Sequence, residues 1–248
     1  MSTNGQQGPI DIVTTALRRV DILKMTYDSF LLGGVKNLPS YRLIVNVDPL
    51  GRDDPKEIEK LLRSYTKNYV INISERPNFS NAVKWCLQKV ESDYYLHIED
   101  DWVLKKPIDF NKWKSYLEMN ELSQCALAEG DSRELIGRCT FRPHLAKREC
   151  ALIYKALDGK KDPEKVAQAE YLLKDYSSMD YLDSRMIIGT GRKWAKHNGL
   201  RKRPHPTEPG GVVDDWFSYR ATGFLVGIEY WLYKKRIEKI IEKLADKK

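Results

Sequence analysis

Apolar positions along the first hundred residues alternate between two spacings. Short runs rich in Ile, Val and Tyr recur, and between them the apolar residues return every three or four positions, which is the rhythm of strands separated by helices. Residues 10–15 form the first such run. A helical stretch over 21–32 follows, with Ile22, Leu23, Met25, Phe30 and Leu31 apolar and the pair Gly33 and Gly34 as its stop. Residues 41–47 read as the second strand. Asp53, Asp54 and Pro55 then open a helix toward Tyr65, because an acidic cap followed by proline suits a first turn. Residues 69–73 are a short third strand. A helix over 78–90, striped by Ala82, Val83, Cys86, Leu87 and Val90, leads to a fourth strand over 94–98. Three strand-helix units before residue 99 predict an α/β architecture, a mostly parallel sheet flanked by helices.

Beyond residue 105 the pattern loosens. A helix is expected over 111–120, short strands over 125–128 and 139–141, and a helix from Asp162 and Pro163 to about Lys174. Pro204, Pro206, Pro209, Gly210 and Gly211 make an irregular loop. Tyr230, Tyr233, Ile237, Ile240, Ile241 and Leu244 stripe a terminal helix whose opposite face carries Lys234, Lys235, Arg236, Lys239 and Lys243. Packing of that stripe on the domain or on a second copy is the main expectation, and peripheral contact with an anionic membrane a minor one.

Composition narrows the class. With 248 residues and 42% hydrophobic content the chain can fill a core, and its net charge of +7 favours anionic partners. Cys86, Cys125, Cys139 and Cys150 lack the paired spacing of a zinc site and are too few for a disulfide scaffold, which points to a reducing compartment. The first eight residues are polar and small, and the most apolar stretch, 224–233, is broken by Glu229, well short of the roughly 20 apolar residues of a membrane span. The expectation is a soluble cytoplasmic protein.

The chemistry gathers where the fourth strand ends. Glu99, Asp100 and Asp101 follow directly on an apolar strand, and ligands of open α/β sheets collect at that edge. Three adjacent carboxylates repel, so a cation or hydrogen-bond donors must offset them. Alternation turns Glu99 and Asp101 to one side and Asp100 to the other, so the first and last can share a hard divalent ion completed by phosphate oxygens. His97, inside the strand, reads as a core histidine.

The segment Asn78, Phe79, Ser80, Asn81, Ala82, Val83 followed by the run from Ser92 through Glu99, Asp100, Asp101 and Trp102 resembles GT-A glycosyltransferases of the family-2-like group. That family pairs such a helix with a strand ending in a DxD-type metal signature. Two earlier stretches are also similar: Ile12 to Thr15 with Arg18, Arg19, Val20 and Asp21 to the family's opening strand and turn, and Asn46, Val47 and Asp48 to its second strand. Pro49, Leu50 and Gly51 stand where the family carries a "dgS" sequence. The likeness covers residues 9–105 and continues loosely to about residue 200.

The resemblance implies a GT-A, Rossmann-like fold with a C-terminal helical extension. It implies a flexible start over 1–8, a nucleotide-sugar-binding half over 9–105, an acceptor-binding half over 106–225 and the amphipathic helix over 226–248. It further implies transfer of a sugar from a nucleoside-diphosphate donor to a glycan, protein or lipid-linked acceptor hydroxyl with Mn2+ or Mg2+, with inversion. Asp101 and Glu99 are then the metal ligands, with His205 as a third. Thr15, Arg19, Asp48, Asn78, Glu99, Asp100 and Trp102 line the donor, Arg192 and Arg203 in the basic segment hold the diphosphate, and Glu170 is the general base, with Glu164 and Asp131 behind it. The segment from Phe141 to His144 lies on the acceptor side. Two other classes fit parts of the same pattern: a metal-dependent nucleic-acid-binding protein or nuclease, and a non-catalytic nucleotide-sugar binder. The glycosyltransferase reading expects no nucleic acid.

Overall fold

In the computed structural model of the chain, β1 (Ile10–Arg18) runs inside a seven-stranded sheet and is buried along all but its last residue. The structure describes residues 8–104, 106–127 and 141–159, with 163, 164, 166, 167, 170, 180, 181 and 187–189. Asp11 is the one acid in this buried strand. Arg42 clamps it through Nε and Nη2 at 2.8 and 3.1 Å, and the amides of Glu91 and Ser92 donate to its Oδ2. Burial pushes the Asp11 carboxyl up, but these donors outweigh it and hold the group below the usual carboxylate range.

From β1 the chain enters α1 (Val20–Leu31), passes the short β2 (Val35–Lys36) and returns as β3 (Tyr41–Gly51), parallel to β1. Helix α2 (Pro55–Tyr65) then leads to β4 (Tyr69–Ile73), parallel to β3. The two adjacent acids ahead of α2 divide their work. Asp54 caps α2 by accepting from the Lys56 amide, whereas Asp53 reaches back to accept from Val20 N at 2.5 Å and so caps α1. At the other end of α1, Gly33 takes a left-handed φ of +98°, and a Cβ on Gly34 would sit 1.7 Å from the Ser29 carbonyl. Glycine is therefore required at both positions of the predicted stop.

Helix α3 (Phe79–Gln88) carries the chain back across the sheet to β5 (Tyr94–His97), which pairs in parallel with the other side of β1. After β6 (Trp102–Leu104), β7 (Ile108–Asp109) and α4 (Phe110–Met119), β8 (Gln124–Ala126) and β9 (His144–Lys147) extend the same sheet, with β9 antiparallel between β5 and β8. Helix α5 (Arg148–Ala151) continues into a 3-10 turn over Leu152–Ala156. Strand β10 (Asp180–Tyr181) pairs in parallel with β8, and β11 (Ile187–Gly189) lies antiparallel to β6. The sheet order is β10-β8-β9-β5-β1-β3-β4.

Alternation along the strands feeds two cores. Ile12, Leu43, Val45 and Leu96 pack with Leu23, Tyr27 and Phe30 of α1, Ile58 and Leu62 of α2 and Trp113 of α4. Val13, Ile44 and Tyr95 point to the opposite face, against Val83, Cys86 and Leu87 of α3 and Cys150 and Ile153 beyond. Both faces are covered, which explains why these strands read as continuous apolar runs.

Several boundaries differ from expectation. β1 runs three residues further than predicted and β3 continues to Gly51, while α3 stops two residues earlier. The predicted strand over 125–128 is 124–126. Residues 139 and 140 lie outside the described residues, and Phe141 is not in a strand but packs edge-on against Phe79 and beside His97. Four residues, His144 to Lys147, supply the strand beside β5 instead; so short a segment shows no periodicity, and its pairing with β5 makes it a strand. Pro163, Glu164, Val166, Ala167 and Glu170 are helical, as expected there. The loop at 204–211 and the terminal helix lie outside the described residues. No helix among the described residues is long and apolar enough to cross a membrane.

His97 and His144 face each other across β5 and β9, both buried, with ring centroids 5.0 Å apart and planes within 8°. His144 Nδ1 lies 2.8 Å from the Arg142 carbonyl, which can only accept, so this nitrogen carries the proton of the neutral ring. Burial, with His97 alongside, holds His144 well below the ordinary imidazole range, outweighing the opposite pull of the Arg142 carbonyl and Glu99. The unfolded chain therefore binds a proton at this site that the folded chain refuses. Stability is fully present above the unfolded value near 6.5 and falls as pH drops below it, by at most about 1.4 kcal/mol per pH unit. Urea denaturation at pH 7.5, 6.0 and 5.0 should show this loss, and His144→Gln should flatten it over the same interval.

Candidate active site

The order in which strands are laid down fixes where a ligand can enter. The sheet grows from β1 to β3 to β4 in one direction, and then β5 is placed on the opposite side of β1. Connections diverge from the carboxyl ends of β1 and β5, and a crevice opens at such a switch point. Arg18 and Arg19 leave β1 there, and Glu99, Asp100 and Asp101 leave β5. Parallel pairing persists past the end of β5, since Ile98 N donates to the Val13 carbonyl at 2.9 Å and Asp100 N to the Thr15 carbonyl at 3.4 Å. The acidic residues are thus carried along β1 rather than thrown into solvent.

Alternation separates the carboxylates. Asp100 turns toward β1 and α1, where its Oδ2 accepts from the Leu17 amide at 2.9 Å and from Arg19 Nη2 at 2.9 Å. Both side chains of this ion pair are only 2% exposed. The Asp100 carbonyl accepts from Thr26 Oγ1 at 2.6 Å. Arg19 Nε and Nη1 have no hydrogen-bond partner among the described residues. Arg19 and Asp100, both expected at the donor, are therefore joined first of all to each other. Glu99 lies on the other side, its Oε2 accepting from Trp102 Nε1 at 2.9 Å, and Asp101 is buried on the turn that follows.

Asp48 is buried at the carboxyl end of β3. Asn46 Nδ2 donates to its Oδ1 at 3.1 Å, and Asn46 Oδ1 in turn accepts from Asn72 Nδ2 at 2.6 Å and Ser74 Oγ at 3.1 Å. Sequence reasoning missed this chain. Its signal was the pair of amides at Asn46 and Asn72, each flanked on both sides by apolar residues and, as the register shows, directly opposite each other. Thr15 is buried beside Asn46 in the β1–β3 register. Asn78 is the cap of α3: its Oδ1 accepts from Asn81 N at 2.9 Å and its Nδ2 donates to the Gly159 carbonyl at 2.8 Å, so both ends of the amide are engaged within the protein. Trp102 is half-buried, while Trp113 belongs to the core, its Nε1 donating to the Cys125 carbonyl. Glu164 and Glu170 are half-buried helical residues. Asp131, Arg192, Arg203 and His205 lie outside the described residues.

A divalent cation fits this donor set in a particular way. Among the described residues no three His, Cys, Asp or Glu side chains form a metal-binding group. Glu99 and Asp101 offer only carboxylate oxygens, and magnesium-type sites commonly use one or two carboxylates and draw the rest of the shell from phosphate and water. An ion there would take its remaining ligands from those sources or from residues outside the described set.

No protein-family model and no curated protein matches the sequence. Solved structures do match in fold. The mannosyltransferase PcManGT from Pyrobaculum calidifontis, in complex with GDP-Man and Mn2+, has a TM-score of 0.57 at 7% identity over 75% of this chain and 58% of its own. TarS from S. aureus, in complex with UDP-GlcNAc, has a TM-score of 0.50 at 11% identity over 70% of this chain and 56% of its own. Glucosyl-3-phosphoglycerate synthase from Mycobacterium tuberculosis, in complex with Mn2+, UDP and phosphoglyceric acid, has a TM-score of 0.50 at 16% identity over 78% and 74%. The chain thus spans less than two thirds of the first two. It has the GT-A fold, a mostly parallel sheet with flanking helices.

Removing one member of a buried ion pair leaves the other charge without compensation. Arg19→Ala should therefore lower unfolding free energy by about 3–5 kcal/mol. Urea denaturation near pH 7 measures this, and Arg19→Ala combined with Asp100→Asn should recover part of the loss.

Proposed function

We propose that this chain is a metal-dependent glycosyltransferase that moves a sugar from a nucleoside-diphosphate sugar to an acceptor hydroxyl. The observation that carries the reading is the placement of Glu99 and Asp101 at the switch point of a GT-A sheet, with the middle acid, Asp100, tied back to the scaffold. Support comes from the complexes formed by proteins of the same fold, which hold GDP-Man with Mn2+, UDP-GlcNAc, and UDP with Mn2+.

Glu99 and Asp101 would hold Mn2+ or Mg2+; when bound, the ion supplies Lewis-acid neutralisation of the departing diphosphate. Asp48, held by the amide chain from Asn72 through Asn46, receives the nucleobase. Thr15 and Trp102 line the donor, Arg19 and Asp100 keep its floor in place, and Asn78 shapes it through Gly159. Arg192 binds the diphosphate. Glu170 accepts the proton of the acceptor hydroxyl as that oxygen bonds to the anomeric carbon. The anomeric carbon–oxygen bond to the diphosphate breaks in the same displacement, and its electron pair leaves with the diphosphate. Attack from the face opposite the leaving group inverts the anomeric centre, which proton NMR of the product reads directly. The acceptor is a glycan, protein or lipid-linked hydroxyl.

A thermal-shift panel of UDP-, GDP-, dTDP- and CMP-sugars, each with Mn2+, with Mg2+ and with EDTA, tests the donor class. At least one sugar nucleotide should raise the melting temperature only when metal is present. Asp101→Asn should remove that response and lower turnover by about 100-fold or more. Salt-dependent oligonucleotide binding with no response to any nucleotide sugar would favour the nuclease reading instead.

A further inference from the structure

We infer that Thr26 of α1 is a positioning residue for Asp101, an inference that rests on the glycosyltransferase reading and adds to it a residue remote in sequence from the acidic cluster. Thr26 is fully buried in the middle of a twelve-residue helix. A mid-helix threonine commonly spends its hydroxyl on the carbonyl one turn back. Here Oγ1 donates to the Asp100 carbonyl at 2.6 Å, across to the segment that leaves β5.

That carbonyl belongs to the peptide unit joining Asp100 to Asp101. Because the unit is planar, fixing the direction of its oxygen also fixes the amide of Asp101 and the position of its Cα, the point from which the Asp101 side chain departs. The segment is held at its far end as well. Ser29 Oγ accepts from the Leu104 amide at 3.1 Å while donating to the Thr26 carbonyl at 2.8 Å. Arg19, at the N-cap of the same helix, holds the Asp100 carboxylate. Residues 19, 26 and 29 fall within one narrow sector of a 3.6-residue helix, so a single rigid element grips residues 100–104 at both ends. Burial alone does not call for a hydroxyl at position 26, because valine has nearly the same shape. The hydroxyl satisfies the Asp100 carbonyl, and in doing so sets the metal-binding turn.

The variants Thr26→Val, Thr26→Ser and Ser29→Ala separate positioning from packing. Mn2+ binding to the full chain is measured by electron paramagnetic resonance in the presence of UDP and, in parallel, GDP, alongside the melting temperature of each protein. Thr26→Val should weaken Mn2+ binding about tenfold, the usual size of an outer-shell loss. Thr26→Ser, which keeps the donor, should stay within about twofold of wild type even where it melts earlier, and Ser29→Ala should shift binding in the same direction as Thr26→Val. Wild-type Mn2+ affinity in Thr26→Val would overturn the inference alone; should that variant not fold, wild-type affinity in Ser29→Ala would do so. Absence of nucleotide-dependent Mn2+ binding in the wild-type protein would overturn the functional reading and this inference together.

Discussion

Burying three consecutive carboxylates at the edge of a sheet is costly, and the ion pair between Arg19 and Asp100 is what makes the arrangement tolerable. A strand that alternates cannot direct three neighbours to one place. Asp100 is sent toward α1, where a guanidinium and a backbone amide meet its carboxylate, and the local repulsion is cut by one charge. That solution depends on the path of β1. Arg19 reaches Asp100 only because β1 continues to Arg18 before the chain enters α1. The extension in turn needs β3 to run alongside to Gly51, whose φ of +121° and missing Cβ admit the Arg18 carbonyl; a Cβ there would lie 2.1 Å from that oxygen. A glycine in one strand, an arginine at the end of another and an aspartate at the end of a third therefore form one constraint.

The opposite side of β5 is built on a different principle. Behind Glu99 stand His97 and His144, stacked on each other, with Phe141 beside His97 and Tyr95 edge-on to His144. The stacked rings supply flat, dense packing. Asp100 is thus backed by a cation and Glu99 by an aromatic layer, so the two sides of one strand end differ in their surroundings although three adjacent residues share the same charge.

What could be read from sequence follows the reach of its signals. The parallel half, β1, β3, β4 and β5 with α1, α2 and α3 between, was legible because its strands are largely apolar and its helices carry caps such as Asp54 and Asn78, whereas the two-residue β2 was not. Ends were less legible: β1 runs on through Ala16 and Leu17 to Arg18, and β3 through Asp48 and Pro49 to Gly51, because each supplies the other's hydrogen bonds. β9 was invisible, four residues given strand form by β5. In the site, the acidic cluster and the turning away of Asp100 were legible from alternation. The partners of Asp100 were not, since Leu17, Arg19 and Thr26 lie more than seventy positions away and nothing local marks them.

The two acidic strand ends, Asp48 on β3 and Asp100 on β5, are held by the same means. Each is buried, and each receives side-chain or backbone donors: Asp48 the Asn46 amide of its own strand, itself held from β4, and Asp100 the Leu17 amide with Arg19 from across the sheet. Since a carboxylate only accepts, Asn46 must turn its Nδ2 to Asp48 and its Oδ1 to Asn72 and Ser74, which fixes the orientation of both amides and gives the β3–β4 edge a direction. Hydrogen bonds there run from β4 through β3 to the Asp48 carboxylate, just as at the other strand end they run from β1 and α1 to Asp100. The edge is consequently rigid before any ligand arrives, and little ordering remains to be done when one binds.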